Sequence, residues 1–289
     1  MEIQALEEWN DILDSVAEEK GIVLFLGATD TGKSTLAKYL ISQLCQQGVK
    51  TALVDVDIGQ SFLGPPTAIG LSVFDGPPDW DSVSPREIFF VGSTSPQGLF
   101  SLHVRGTRKM VDRALACGAK TILVDTTGFV HGEFGRELKQ RKIDLLLPQF
   151  IVALASSEEL EPILTPYRDR SSPKIFRLKP SAYARPRTWE ERELYRAKKF
   201  REYFEGAETR SFMINGIRIE GKNEDLAIAG LLLGLKDENN STLALGLLID
   251  YKEGEGSMKV LTPLEESVRI SALQIGAVRL TPSFEDERF

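Results

Sequence analysis

Cysteine is scarce in this sequence, and its scarcity excludes two common ways of cross-linking a fold. The only cysteines among the 289 residues are Cys45 and Cys117, and neither belongs to a Cys-x-x-Cys pair. We therefore expect neither a disulfide framework nor a cysteine-ligated metal, and we predict that both side chains are small buried hydrophobes. A chain of this length can bury a sizeable core without cross-links.

Long hydrophobic runs are also absent. None approaches the ~20 apolar residues that a transmembrane helix requires. The stretch 1–20 is acidic and amphipathic, whereas a secretory signal is basic and then apolar. We therefore expect a cytoplasmic protein with no membrane partner.

The chain has no overall excess of positive charge, since its formal net charge is −7. This balance argues against non-specific coating of nucleic acid. The charge is uneven, however, because residues 168–201 contain twelve Lys and Arg residues against four acidic ones. This segment is either a site for a polyanion or the solvated face of a helix.

Short apolar runs alternate with helical segments as far as residue 206. The predicted helices include Thr35–Gln47 and Thr107–Cys117. Because such alternation with continuously apolar strands is typical of a sheet covered on both faces, we predict an α/β fold with a mostly parallel sheet. The predicted strands are Ile22–Leu26, Thr51–Val56, Ile88–Val91, Thr121–Asp125, Phe150–Leu154 and Lys174–Leu178.

The pattern changes after residue 206, where apolar runs follow one another without a long helix between them. We therefore predict two domains: an α/β domain over residues 1–206, which includes an arginine-rich segment at about 180–204, and a small β-rich domain over residues 207–289. The apolar runs of the second domain are Leu226–Leu235, Thr242–Tyr251, Met258–Leu264 and Val268–Leu280.

Residues 27–34 match the phosphate-binding pattern GxxxxGK(S/T), with a predicted strand before them and a predicted helix after them. Glycines let the backbone curl so that successive N–H groups point at phosphate oxygens. Lys33 is expected to neutralise the β- and γ-phosphates, and the Ser34 hydroxyl to ligate Mg²⁺. The predicted fold is therefore that of a P-loop NTPase with ATP and Mg²⁺ as cofactors. The predicted ATP-binding residues are Gly27, Thr29, Asp30, Thr31, Gly32, Lys33, Ser34 and Thr35.

Three acidic residues lie at the predicted carboxyl ends of two strands, the edge that adjoins the P-loop in such sheets. One of Asp55 and Asp57 could hold magnesium while the other accepts a proton from an attacking hydroxyl, and we favour Asp57 for the catalytic role. The alternative is that Asp55 or Asp57 merely caps the following turn. Asp125, which begins the sequence Asp-Thr-Thr-Gly-Phe, is a further candidate for magnesium.

Two other classes of P-loop protein are not favoured. Signalling GTPases carry an (Asn/Thr)-Lys-x-Asp element for guanine after a later strand, whereas residues 155–159 are Ala-Ser-Ser-Glu-Glu. Partitioning and targeting ATPases usually have an additional lysine early in the P-loop, where this chain has Ala-Thr-Asp at 28–30. A small-molecule kinase stays open as an alternative.

Arg187, Arg192 and Arg196 form a row in a segment that is predicted to be helical, and the last two share one helical face. Phosphoryl transfer spreads negative charge over the equatorial oxygens, and arginines that close over the phosphates stabilise it and exclude water. The row is therefore predicted to be a catalytic lid. The alternative is salt bridging with the glutamates at 190, 191 and 193.

Several motifs now occur in one order along the chain. They are G-x-T-D-x-G-K-S-T at 27–35, D-x-G-Q at 57–60, T-S-P-x-G at 94–98, T-x-G-F-V at 126–130, and R-x4-R-x3-R followed by REYF at 187–204. This series resembles the polynucleotide 5′-hydroxyl kinase family, which includes the RNA kinase subunit of the pre-mRNA cleavage factor, ribosomal-RNA-processing kinases and prokaryotic relatives. The resemblance covers roughly residues 20–206 and is weaker beyond.

The resemblance implies a role for each motif. Asp57 would be the general base and would contact the metal directly or through water, and residues 94–98 would grip the terminal phosphodiester. Phe129 stands where many relatives have Trp and would stack the end nucleobase. The implied catalytic residues are Lys33, Asp57, Arg187, Arg192 and Arg196, the metal-binding residues are Ser34, Asp57 and Asp125, and the nucleic-acid-binding residues are Gln60, Thr94, Ser95, Gly128 and Phe129.

Two departures from the family bear on the expected activity. Eukaryotic relatives carry an additional N-terminal domain that grips the nucleotide base, whereas only ~20 residues precede the first strand here, so we expect weak adenine selectivity. Phenylalanine at 129 also offers less stacking area than tryptophan and no indole N–H.

The expected function is therefore ATP-dependent transfer of the γ-phosphate to the 5′-hydroxyl end of single-stranded or duplex RNA or DNA, in RNA processing or nucleic-acid repair. The alternatives are a non-catalytic ATP-binding adaptor of an RNA-processing complex and a small-molecule or nucleoside kinase. No reader of the 2′-hydroxyl is recognisable, so the sequence does not distinguish RNA from DNA.

Overall fold

The computed structural model describes residues 6–181, 184–221 and 226–288. The helices are α1 (Glu8–Glu19), α2 (Lys33–Gln46), α3 (Phe100–Ala116), α4 (Gly132–Leu146), α5 (Glu161–Leu164) and α6 (Trp189–Phe204). The strands are β1 (Gly21–Gly27), β2 (Thr51–Asp55), β3 (Ala68–Phe74), β4 (Glu87–Phe90), β5 (Thr121–Asp125), β6 (Phe150–Leu154), β7 (Lys174–Leu178), β8 (Glu208–Met213), β9 (Arg218–Glu220), β10 (Leu231–Lys236), β11 (Thr242–Lys252), β12 (Ser257–Thr262), β13 (Ala272–Leu280) and β14 (Asp286–Arg288).

The chain divides into two compact units. The first contains the described residues within Met1–Asp57, Gly70–Arg86 and Gln97–Arg187, and the second those within Ile58–Ile69, Glu87–Pro96 and Thr188–Phe289. This division differs from the predicted boundary after residue 206, because α6 shares a hydrophobic core with the C-terminal strands. Residues 182 and 183 of the predicted arginine-rich segment lie outside the described residues.

The first unit confirms the predicted α/β fold. Its strands are ordered β3-β2-β5-β1-β6-β7, and all neighbouring pairs are parallel except β2 with β3. Every residue of β2, β5 and β6 is buried, because α2, α3 and α4 pack against the sheet. The antiparallel strand β3 was not predicted from the sequence.

The order of these strands positions the candidate site. Because β1, β2 and β5 run in the same direction, their carboxyl ends meet at one edge of the sheet. Asp55 lies opposite Asp125 in the register between β2 and β5, and Val56 N donates to Asp125 O at 2.9 Å. The P-loop leaves β1 at the same edge, so the acidic residues and the phosphate-binding turn adjoin one another.

The second unit is mainly antiparallel, which confirms the predicted β-rich C-terminal part. Strand β13 pairs with β10 and β14, β10 pairs with β11, and β11 pairs with both β12 and β4. Within the apolar run Leu226–Leu235, strand β10 begins only at Leu231. The aromatic face of α6, with Phe200 and Phe204, completes a core formed by these strands.

Two further expectations can be compared with the structure. Cys45 is buried as predicted, Cys117 is partly exposed at the end of α3, and both are free thiols. In the part of the chain that the structure describes, no helix has the length and apolar character needed to cross a bilayer.

Candidate active site

The P-loop connects β1 to α2 by a turn that requires unusual backbone angles. Gly32, at the N-cap of α2, has φ = 94°, and Asp30 has φ = 60°. Glycine adopts this left-handed conformation without a steric penalty, and the turn that it allows directs backbone N–H groups toward the start of α2. The positive end of the helix dipole lies at the same place, so the turn is suited to bind phosphate.

Lys33 lies across this turn and is buried. Its Nζ donates a hydrogen bond to Ala28 O at 2.6 Å, within the P-loop itself. Burial lowers the pKa of Lys33, and the negative charges of Asp125, Asp57 and Asp30 oppose that effect. Its ammonium group is therefore positioned among the acidic residues and the phosphate-binding turn.

Ser34 and Asp125 form the part of the site that fits a magnesium ion. Ser34 Oγ donates to Asp125 Oδ2 at 2.5 Å, and the buried Asp125 Oδ1 has no hydrogen-bond partner among the described residues. Burial raises the pKa of Asp125 to about 6, against the charge of Lys33. Hydroxyl and carboxylate oxygens are the ligands that Mg²⁺ prefers, and an orphaned carboxylate oxygen is a free coordination point.

The described residues contain no cluster of three or more His, Cys, Asp or Glu side chains that could hold a metal ion alone. A magnesium ion held by Ser34 and Asp125 would therefore take its remaining ligands from phosphate oxygens and water.

Asp55 and Asp57 have different environments. Strand β2 ends at Asp55, so the alternation of side chains along a strand does not place Asp57 on the same face as Asp55. The fully buried Asp55 accepts a hydrogen bond from Asp57 N at 3.0 Å, and it therefore caps the turn, which was the alternative left open by the sequence. Asp57 is only partly buried. Its carboxylate is accordingly the one of the two that a substrate can reach.

Two buried lysines on α4 lie close enough to the acidic residues to interact with them electrostatically. Lys139 and Lys142 are fully buried; burial lowers the pKa of each, and the charge of Asp57 opposes that effect. Sequence reasoning missed both residues. No sequence signal marks them, because a lysine on a helix is normally solvated; only the structure shows that both belong to the buried positions of α4, which are Gly135, Leu138, Lys139, Lys142, Ile143 and Leu146.

Lys139 holds the segment that follows β5. Its Nζ donates to Thr126 Oγ1 at 2.8 Å and to Thr127 O at 2.5 Å, while Thr126 Oγ1 donates to Phe25 O on β1 at 2.7 Å. Burial lowers the pKa of Lys139 well below its usual value, with the charge of Lys142 as the next cause. Lys139 therefore fixes residues 126–127 between the sheet and α4.

Lys142 differs from Lys139 because its Nζ has no hydrogen-bond partner among the described residues. Burial lowers the pKa of Lys142 to about 7, and the charges of Asp57 and Asp125 oppose that effect. Near neutral pH this group therefore lies close to the midpoint of its titration.

Gly128 brings the segment after β5 against the P-loop. A Cβ atom at this position would lie 2.3 Å from Thr29 Cγ2 and 2.4 Å from Thr29 N. Only glycine allows so close an approach of the two loops, because backbone atoms cannot move aside as a flexible side chain can. Gly128 therefore shapes the P-loop.

We expect Gly128→Ala to distort the P-loop, to lower the free energy of unfolding by about 1–3 kcal/mol, and to raise the dissociation constant for nucleotide. Titration of a fluorescent ATP analogue and thermal unfolding would measure the two effects. Gly76→Ala is the matched control, because a Cβ there has no neighbour within 4 Å. Equal nucleotide affinity in the two variants would contradict the role given to Gly128.

Arg187 is held beside the P-loop by Asp30. Its backbone N donates to Asp30 Oδ2 at 2.9 Å and its Nε to Asp30 Oδ1 at 2.9 Å, and Nη2 lies 2.8 Å from the same Oδ1. The Asp30 side chain is 7% exposed and that of Arg187 is 34% exposed. Asp30 thus fixes Arg187, one of the predicted lid arginines. The sequence did not indicate this contact.

Phe129 belongs to a group of three aromatic side chains. Its ring centroid lies 6.4 Å from that of Phe100, which in turn lies 6.0 Å from that of Phe134. Phe134, on α4, is 58% exposed. Phe100 and Phe134 lie outside the predicted motifs, and the sequence analysis did not predict them as part of the site. Aromatic residues near a predicted stacking residue are the sequence signal that could have identified them.

The predicted site residues are divided between the two units. The first unit brings together the P-loop, Asp57, Asp125, Gly128, Phe129 and Arg187. The second contains Gln60, Thr94, Ser95, Arg192 and Arg196.

Within the second unit, Gln60 contacts the helix that carries the remaining arginines. Gln60 Nε2 donates to Arg192 O at 3.3 Å, and Tyr195 OH donates to Ser61 O at 3.0 Å. Helix α6 begins with a capping box formed by Thr188 and Glu191. Gln60, the last residue of the D-x-G-Q motif, is thereby joined to α6.

The basic segment 168–201 is not one continuous surface. Arg168 and Arg177 both pair with Glu161, and Lys174 begins β7 with its N–H donating to Gln149 O at the amino end of the sheet. Arg187, by contrast, lies at the P-loop, beyond the carboxyl ends of the strands. The charge excess noted in the sequence is therefore distributed over separate parts of the structure.

The parallel sheet, the P-loop and its Lys33, Ser34 and Asp125 define a P-loop nucleotide-binding protein. A family model described as "mRNA cleavage and polyadenylation factor CLP1 P-loop" matches residues 27–206, more than half of the chain. The chain belongs to this family.

Several known proteins are similar to this chain. A polyribonucleotide 5′-hydroxyl-kinase of Pyrococcus furiosus is 28% identical, with 91% of this chain and 89% of that protein covered, and one of Thermococcus kodakarensis is 28% identical with 95% and 93% covered. Among solved structures, a Clp1p–Pcf11p complex matches with a TM-score of 0.75 at 15% identity and covers 94% of this chain and 78% of that one. The structural match confirms the fold.

Proposed function

We propose that this protein is an ATP- and Mg²⁺-dependent kinase that transfers the γ-phosphate of ATP to the 5′-hydroxyl end of RNA. The observation that carries the proposal is the arrangement of the partly buried Asp57 carboxylate, Lys33 and the Ser34–Asp125 pair at one edge of the sheet. The names of the archaeal relatives support the choice of RNA as the substrate.

The phosphates of ATP bind at the turn between β1 and α2. The backbone N–H groups of the turn and the positive end of α2 hold the phosphate oxygens, and Lys33 releases Ala28 O to contact them. Ser34 and Asp125 would hold Mg²⁺, with Asp57 in contact directly or through water, and the bound ion would neutralise negative charge on the phosphates.

Asp57 acts as the general base. As the 5′-hydroxyl oxygen attacks the γ-phosphorus, the hydroxyl proton passes to the Asp57 carboxylate and the bond to the β,γ-bridging oxygen of ATP breaks, leaving ADP.

The predicted lid arginines stabilise the negative charge of the transferred group. Arg187 is already oriented by Asp30, which reduces the entropy lost when the guanidinium binds phosphate. Arg192 and Arg196 have the same role in the proposal, and Gln60, Thr94, Ser95 and Gly128 contact the RNA strand.

Transfer can be tested directly with γ-labelled ATP and oligonucleotides that carry a 5′-hydroxyl end. We expect label on RNA with a 5′-hydroxyl and none on the same RNA with a 5′-phosphate, which is the matched control. A DNA strand of the same sequence tests the expectation that DNA with a 5′-hydroxyl end is also a substrate. ATP consumption without a labelled end would overturn the kinase proposal, and ATP binding without turnover would favour the adaptor alternative.

Phe129 is proposed to stack on the terminal base. We expect Phe129→Ala to raise the KM for RNA about 5- to 160-fold, because base–aromatic stacking contributes about 1–3 kcal/mol, and to leave the KM for ATP nearly unchanged. Phe129→Trp should lower the KM for RNA through its larger ring. Steady-state kinetics with each substrate varied in turn would measure both, and equal KM values for RNA in all three proteins would exclude stacking on this residue.

A further inference from the structure

Helices α3 and α4 form the two walls of a groove. Helix α3 ends just before β5 and α4 begins just after it, so both helices start at the carboxyl edge of the sheet, where the P-loop lies, and run back toward the opposite edge. Phe100 begins α3 and Phe134 lies in the first turn of α4, and their ring centroids are 6.0 Å apart. The groove therefore starts at the aromatic group that includes Phe129.

Beyond this aromatic group the groove is lined by basic side chains. Its volume is about 600 Å³, and Val104 and Leu145 form its apolar part. Arg108 Nη1 donates to Leu145 O at 3.3 Å, which fixes the two walls to each other. Five of the charged lining residues are basic and one is acidic, although the chain as a whole has a net charge of −7. These residues are Arg105, Arg108, Lys109, Arg113 and Arg141 with Asp112.

The ion pairs of the groove arginines are exposed to solvent. Arg108 pairs with Asp112 at 2.8 Å and Arg141 with Glu137 at 2.5 Å, and these four side chains are between 39% and 51% exposed. Exposed pairs of this kind contribute little free energy. Both arginines can therefore turn from their carboxylates toward the phosphates of a polyanion.

Exposure distinguishes these pairs from a buried pair in the second unit. Arg196 Nε donates to Asp286 Oδ1 at 2.5 Å, and the two side chains are only 11% and 4% exposed. Separation of a buried pair leaves an uncompensated charge, which is strongly unfavourable. The groove arginines, unlike Arg196, can exchange a carboxylate for a phosphate with little loss of free energy.

Aromatic rings followed by a basic groove are a combination with which proteins bind single-stranded nucleic acid, since bases stack on the rings and the groove follows the phosphates. In the proposed function the 5′ end of the RNA is held at the edge of the sheet, with its base on Phe129. The next nucleotides then leave the site beside Phe100 and Phe134, where the groove begins. From Phe100 to Arg113 the helix extends about 20 Å, at about 1.5 Å per residue, which is enough for several nucleotides.

We infer that the groove between α3 and α4 binds the phosphates of the RNA nucleotides that follow the terminal one. The strand runs from Phe129 into the groove, where Arg105 on one wall and Arg141 on the other contact its backbone. This inference rests on the proposed function for the choice of RNA. Because the contacts are made with phosphates, the groove does not select a base sequence. The groove residues lie outside all the motifs of the sequence.

The first test compares two lengths of substrate. With γ-labelled ATP, the wild type should phosphorylate a 5′-hydroxyl RNA of ten nucleotides with a kcat/KM about tenfold higher than that for a 5′-hydroxyl dinucleotide, because only the longer strand reaches the groove. The double variant Arg105→Ala/Arg141→Ala should lose most of this advantage and keep the wild-type kcat/KM for the dinucleotide. A double variant that keeps the full advantage of the longer strand would overturn the inference.

Arg168→Ala is the matched control for this test. Like Arg141, Arg168 is an exposed arginine that pairs with one glutamate, Glu161 at 2.7 Å, but it lies outside the groove. This variant should keep the length dependence of the wild type. If it loses as much of that dependence as the double variant does, the effect comes from the overall charge of the protein and not from the groove.

The second test measures binding without catalysis. In fluorescence anisotropy with a 3′-fluorescein-labelled, 5′-hydroxyl RNA of ten nucleotides, the double variant should reduce the slope of log Kd against log salt concentration by about 1.4, which is about 0.7 for each of two lost phosphate contacts. Its melting temperature should stay close to that of the wild type, since both side chains are exposed. An unchanged Kd and slope would overturn the inference, and this is the result expected if the groove binds an acidic protein segment instead.

The outcomes distinguish this inference from the proposed function. If the wild type labels RNA and the double variant matches it at both lengths and in its salt slope, the groove does not bind RNA and the kinase stands. If RNA binding depends on Arg105 and Arg141 as expected but no phosphate is transferred, the groove stands and the kinase is wrong.

Discussion

Asp57→Asn is expected to lower kcat for phosphate transfer by about 10²–10⁴-fold, because the amide cannot accept the hydroxyl proton. Affinity for ATP should stay close to that of the wild type, since the P-loop, Lys33 and Ser34 are unchanged. Single-turnover transfer to 5′-hydroxyl RNA and titration of a fluorescent ATP analogue would measure the two quantities.

The matched control for this variant is the same substitution two residues earlier. Asp55→Asn keeps an oxygen that can accept the hydrogen bond from Asp57 N, so the turn after β2 should persist and kcat should change little. If Asp57→Asn retains wild-type kcat, another group accepts the proton. If both variants lose kcat equally, the effect comes from the shape of the turn.

Lys142→Met is expected to stabilise the protein at pH 7 by on the order of a few kcal/mol. Burial lowers the pKa of Lys142 from 10.5 to about 7 in the folded chain, and its Nζ has no hydrogen-bond partner among the described residues. An apolar side chain of similar length removes this unfavourable burial and keeps the packing of α4.

The same pKa shift predicts the direction of a pH effect. Because the folded pKa is the lower one, the unfolded chain binds more protons between about pH 7 and pH 10.5, and the contribution of Lys142 to stability rises with pH over this window. The stability advantage of Lys142→Met over the wild type should therefore shrink as the pH is raised from 7 toward 10. Urea unfolding at several pH values would measure it.

Lys139→Met is the informative comparison, since Lys139 is equally buried but donates hydrogen bonds to Thr126 and Thr127. Its replacement leaves buried acceptors unsatisfied and should be clearly less favourable than Lys142→Met. An advantage of Lys142→Met that does not vary with pH would contradict the titration of Lys142 as its cause.

The sequence predicted those parts of the site whose backbone conformation and chemistry depend on residues close together in the chain. The phosphate-binding turn depends on glycines and a lysine within eight residues, and the parallel strands are recognisable as short continuous apolar runs. Asp57 and Asp125 could be placed beside the turn because parallel strands end at a common edge.

The roles of the buried lysines and of Asp30 could not be predicted in this way. A lysine on a helix is normally solvated, and only the packing of α4 against the sheet buries Lys139 and Lys142 beside the carboxylates. Asp30 matched a phosphate-binding motif, yet its ion pair is formed with Arg187, which is 157 residues away along the chain.

By itself, then, the amino-acid sequence determined the α/β class, the nucleotide-binding turn and the identity of the acidic residues beside it, because each follows from short-range conformation or from strand direction. Tertiary structure alone decided which charges are buried together and which arginine meets which carboxylate. The pairing of Arg196 with Asp286 depends on the register of β14 and on the face that α6 presents to it, and neither can be deduced from residues so far apart in the chain.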